Sequence, residues 1–114
     1  MKPRAILLEP PRVSITWLYQ RYEIVYIIPD KSTALALRDD PDRLWRVVRE
    51  WASTNYHPAE DRLALTGNLT MVVVAALALR EESGAQVAML RYDHDTGKYY
   101  EIGETHGNYS RAGS

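Results

Sequence analysis

The run Leu69-Thr70-Met71-Val72-Val73-Val74-Ala75-Ala76-Leu77-Ala78-Leu79 carries no polar residue after Thr70. Its valines suit a buried strand. Its length, its alanines and the ending Arg80-Glu81-Glu82-Ser83-Gly84 favour a helix from Leu69 to Ser83 closed by Gly84, with the buried strand as the competing reading. A helix that is apolar all round has to be covered twice, whereas a two-layer domain covers a helix once. The second cover is expected to be another copy of the chain, with Leu69, Val72, Val73, Ala76 and Leu79 at the interface. The monomeric alternative places the sheet on one side and the preceding long helix on the other.

Before this run, Thr66-Gly67-Asn68 reads as the close of a short helix opened by His57-Pro58. Further back, Asp39-Asp40-Pro41-Asp42 starts a longer helix to about Thr54. Asp40 is its N-cap, Pro41 its first residue, and Leu44, Val47, Val48 and Trp51 form the apolar stripe. Thr33, Leu35 and Leu37 alternate as a third antiparallel strand would, after turn residues Pro29-Asp30-Lys31-Ser32. Glu23–Ile28, apolar on both faces, is expected at mid-sheet. Val13, Ile15 and Trp17 alternate as a half-buried strand, and Ala5–Leu8, flanked by prolines, is expected to be at most an edge strand. After the helix, Ala85–Tyr92, the turn Asp93–Gly97 and Lys98–Ile102 form a hairpin. The expected fold is therefore α+β: an antiparallel sheet of about five strands with two to three helices on one face. One domain is expected over residues 1–103, with 104–114 a loose tail.

The 114 residues carry 14 Lys and Arg against 15 Asp and Glu, so no net basic field marks a nucleic-acid partner. Cysteine is absent, which removes disulfides, thiolate metal sites and thiol nucleophiles. Ala5–Leu8 is too short for the core of a signal peptide, and Met71–Leu79 is too short to cross a bilayer, so a cytoplasmic protein without membrane contact is expected. No cofactor is expected.

Asp93, Asp95 and Glu104 stand at positions one, three and twelve of a segment that resembles the spacing of a calcium-binding EF-hand loop. Lys98 occupies the position where that loop needs Gly, and the flanks read as strands, so turn chemistry is the bland reading of the same residues. His57, His94 and His106 each have acidic neighbours but lie in separate segments. Arg38, Arg43, Arg46 and Arg49 form a candidate basic surface for nucleic acid, although Asp39, Asp40, Asp42 and Glu50 alternate with them. A helix-turn-helix centred on Gly67 is excluded because the second helix has no polar face for base edges.

Phenylalanine is absent while there are eight Tyr and three Trp, so amphipathic rings supply the aromatic volume. Trp17, Tyr26, Trp45 and Trp51 are the candidate lining of a small-molecule pocket between sheet and helices. The leading expectation is a non-enzymatic interaction or regulatory protein, dimeric, with a protein or nucleic-acid partner. The alternatives are a small-ligand-binding domain with that aromatic pocket, and a divalent-metal-dependent hydrolase or nuclease.

Overall fold

The computed structural model describes residues 2–102, so Glu104, His106 and the expected tail lie outside the described residues. Its elements are β1 (Arg4–Leu7), α1 (Thr16–Arg21), β2 (Glu23–Tyr26), α2 (Lys31–Arg38), α3 (Pro41–Asn55), β3 (Asp61–Leu65), α4 (Leu69–Ser83), β4 (Met89–Tyr92) and β5 (Tyr99–Ile102). The α+β content and the five strands agree with expectation. The sheet does not: it is mixed, in the order β2-β1-β3-β4-β5, with parallel pairing everywhere except between β4 and β5. Helices connect the first four strands, and parallel neighbours require such crossovers where antiparallel ones use hairpins.

β1 is an interior strand, not an edge. Ala5, Ile6, Leu7 and Leu8 are all buried, as in a parallel strand covered on both faces. Pro3 precedes the ladder and Pro10-Pro11 follow it, so no proline interrupts it, and the Pro3 carbonyl accepts from Glu23 N–H at 2.8 Å. β2, expected at mid-sheet, is instead the edge beside β1. β3 replaces the short helix expected after His57. It lies between β1 and β4, with Leu63 and Ala64 fully buried on opposite faces.

Two segments expected to be strands are helices. The Val13–Trp17 alternation runs through a loop into α1, whose buried residue is Leu18. In α2 the buried pair is Ala34 and Leu37, one turn apart, and Leu35 is exposed. The carboxylate of Asp30 caps α2, accepting from Thr33 N–H at 3.0 Å and from the Ser32 and Thr33 hydroxyls. Those bonds hold the Asp30 carboxyl below its usual range, the Thr33 hydroxyl foremost. α3 starts as expected, with Asp40 accepting from Arg43 N–H; α4 starts at Leu69 as expected, but Asn68, read as the close of a preceding helix, is its cap and accepts from Met71 N–H. α4 closes at Gly84 in the left-handed conformation, φ 66°.

The helices occupy both faces of the sheet. Ile6 and Leu63 pack with Ala34, Leu37, Leu44, Val48, Met71, Ala75 and Leu79 from α2, α3 and α4. On the other face Ala5, Leu7, Ala64 and Leu90 pack with Leu18 of α1 and with Tyr99. A right-handed crossover lays its helix on one face when the chain moves one way along the sheet, and on the opposite face when it moves back. The chain goes from β1 outward to β2, then returns past β1 to β3 and β4. Its winding therefore reverses between β1 and β3. No helix of the described residues is long and apolar enough to cross a membrane.

Candidate ligand-binding crevice

In an open sheet whose winding reverses, the loops on either side of the reversal diverge to opposite faces and leave a crevice beyond the carboxyl ends of the strands. Here the two loops are Glu9–Val13 after β1 and Gly67-Asn68 after β3. They form, with Lys31, Leu35 and Arg38 of α2, the walls of a cavity of about 670 Å³. Three cationic side chains, Arg12, Lys31 and Arg38, line it from separate turns of chain. The one acidic residue among them is Glu9.

Local chemistry sets each wall. Pro10-Pro11 lie beyond the end of β1, fix two successive backbone angles and restrict Glu9 before them, and the chain bends at Arg12-Val13. Gly67 adopts φ 96°, a left-handed backbone that a side chain would strain, and a Cβ there would stand 4.0 Å from Cγ of Glu9. Directly after it, Asn68 caps α4 and also lines the cavity, so the positive end of that helix lies next to it. The Arg38 Nη2 lies 3.9 Å from Glu9 Oε1, a charge contact too long for a hydrogen bond. The Glu9 side chain is 17% exposed, and its Oε2 is enclosed without a hydrogen-bond partner among the described residues.

The expected aromatic pocket is not assembled. Trp17 and Tyr26 pack on the α1 face of the sheet, while Trp45 and Trp51 pack on the other, so the sheet itself separates the pairs. Trp17 stacks on Tyr99 with ring centroids 6.2 Å apart, and the Arg21 guanidinium lies 4.2 Å over the Trp17 ring. Arg38 is separated from the α3 arginines, of which Arg46 and Arg49 line one shallow cleft with Glu50 and Glu82. Arg38 belongs to the crevice, Arg49 pairs with Glu82 at 3.1 Å and ties α3 to α4, and Arg43 and Arg46 are exposed on α3.

Asp93 and Asp95 sit in the β4–β5 turn. Asp93 Oδ1 accepts from Asp95 N–H at 2.9 Å, and Gly97, at φ 72°, donates to the Asp93 carbonyl. Among the described residues no three His, Asp or Glu side chains gather as metal ligands. His57 and Asp61 do meet, but through the His57 backbone N–H, which donates to Asp61 Oδ2 at 2.8 Å while the ring is exposed.

Of the proposed interface residues, Val72 and Leu79 are buried in the core, which removes them from any interface. Leu69 and Val73 are exposed, joined by Leu77, and Ala76 is half-buried beside them. Glu9, Arg12, Lys31 and Asn68 went unnoticed in the sequence. The signal that marks them is short apolar runs alternating with capped helices, the pattern of successive β-α-β units. No protein-family model, curated protein or solved structure matches the chain.

Proposed function

We propose that the protein binds a small anionic molecule in the crevice beyond the carboxyl ends of β1 and β3. The observation that carries this reading is the convergence of Arg12, Lys31 and Arg38 on a cavity of ligand size, in a chain whose net charge is −1. Three cations facing one carboxylate repel each other, and an anion between them relieves that repulsion. Phosphate suits such a site, because arginine forks match its oxygens and the neighbouring helix end adds to the favourable field. Thermal unfolding with inorganic phosphate or pyrophosphate at millimolar concentration tests it. A saturable rise in Tm that Lys31→Ala and Arg38→Ala weaken is expected. A flat response to both anions at low salt would sink the proposal.

A second reading, a non-enzymatic interaction module that self-associates, is favoured by the free face of α4. Leu69, Val73 and Leu77 are 76%, 49% and 55% exposed and lie four residues apart in one stripe. The stripe is symmetric about Val73, so an antiparallel copy would set Leu69 against Leu77 of its partner, as a two-fold interface requires. An apolar cavity of about 430 Å³ between α4 and β4–β5, lined by Ala76, Leu77, Val87, Met89 and Ile102, adjoins its end. Sedimentation of wild type and Val73→Glu decides it. A dimer that the variant converts to monomer supports the reading, and a monomer at all concentrations removes it.

A further inference from the structure

We infer that Glu9 selects the ligand of the crevice, which carries a hydroxyl donor beside its anionic group: the chemistry of a hydroxylated phosphate monoester. The inference rests on the anion-binding reading above. A carboxylate only accepts hydrogen bonds, and a mostly buried one is ordinarily given donors. Glu9 has none among the described residues: Arg38 stands off at 3.9 Å, and Oε2 is enclosed without a partner. Pro10, directly after it, restricts the Glu9 backbone.

The surroundings then decide which donor can serve. An ammonium group or a divalent cation brought to Glu9 would enter among Arg12, Lys31 and Arg38 and be repelled. An uncharged hydroxyl meets no such opposition. A ligand that bonds Glu9 through a hydroxyl at Oε1, the oxygen that is not enclosed, and places its phosphate among the cations matches the charge of the walls. The cavity, at about 670 Å³, has room for both parts, whereas inorganic phosphate fills only a fraction of it. A bare phosphate offers the Glu9 carboxylate no donor, which the hydroxyl supplies.

The test is calorimetric titration of wild type and Glu9→Gln with inorganic phosphate, methyl phosphate, glycerol 3-phosphate, ribose 5-phosphate and adenosine monophosphate. Wild type is expected to bind the hydroxylated esters about tenfold more tightly than methyl phosphate, the worth of one hydrogen bond to a charged group. Glu9→Gln is expected to bind inorganic and methyl phosphate more tightly than wild type, since a repelling charge is gone, and to lose most of the tenfold preference. Equal wild-type affinity for methyl phosphate and the hydroxylated esters overturns the selection by Glu9 while leaving the anion site intact. Absence of binding by every phosphate compound overturns both. The wild-type series alone can overturn the proposal, so it stays falsifiable even if the variant fails to fold. Tighter binding of the adenosine ester than of the ribose ester assigns a nucleotide source, and the reverse assigns a sugar phosphate.

Discussion

Asp61 is the only fully buried charged side chain among the described residues, and its partners account for its presence. Arg4 donates Nε to Oδ1 and Nη2 to Oδ2, both at 2.9 Å, and Arg4 Nη2 also donates to the Asn55 carbonyl. With the His57 N–H, these bonds tie β1, β3 and the end of α3 together at the amino ends of the strands, away from the crevice. The hydrogen bonds Arg4 donates to Asp61 raise the Arg4 pKa above its usual value. Removing one partner of a buried pair leaves the other charge uncompensated. Asp61→Ala is therefore expected to cost about 3 kcal/mol in urea unfolding, less if water reaches the part-exposed Arg4. A loss under about 1 kcal/mol would show that the pair contributes no more than an exposed one. In the sequence, Asp61 reads only as the neighbour of His57, because its true partner is 57 positions away.

At the level of elements, four of the five strand segments and the start of α3 were readable, whereas β3 and the parallel order of the sheet were not. α3 carries its start signal in Asp40-Pro41, a local hydrogen bond that no tertiary contact needs to create, while Asn68, read as the close of a helix, is the cap that starts α4. Asp40→Ala is expected to cost about 1 kcal/mol. Gly84→Ala is expected to cost a similar amount, about 1 kcal/mol, by forcing a side chain into the left-handed region. Both are read as shifts in the urea midpoint at unchanged slope. β1 and β3, by contrast, are buried on both faces and so lack the alternation that reveals a half-exposed strand. The alternating Thr33, Leu35 and Leu37 misled in the opposite direction, although the Asp30 cap was present. The crevice inherits that difficulty. Its walls are the loops after β1 and β3, and misreading those strands hides what joins them.

Taken as a whole, the molecule has two cores divided by the sheet, and each encloses a tyrosine hydroxyl without a hydrogen-bond partner among the described residues. Tyr56 lies on the α3 side and Tyr99 on the α1 side. Burial pushes both up to about 12 from the usual 10, with Asp61 adding to the shift at Tyr56 and Tyr92 at Tyr99. Below pH 10 both are protonated whether the chain is folded or not, so their contribution is constant. Between pH 10 and about 12 the unfolded chain gives up protons that the folded one keeps, so stability falls as pH rises through this window. Chemical unfolding across that range is expected to show the decline, and Tyr56→Phe with Tyr99→Phe to flatten it. A decline of the same size in the double variant would assign it to other groups.

The position of β1 between β2 and β3 also bears on how the chain is made. During synthesis β1 and β2 leave the ribosome close together, but β3 begins 35 positions after β2 ends. At about 5–20 residues per second, the inner edge of β1 waits about 2–7 s for its partner. For that interval the apolar Ala5–Leu8 segment is an open strand edge on a nascent chain, so the rate of translation through α2 and α3 sets how long the newborn protein is exposed to wrong pairing.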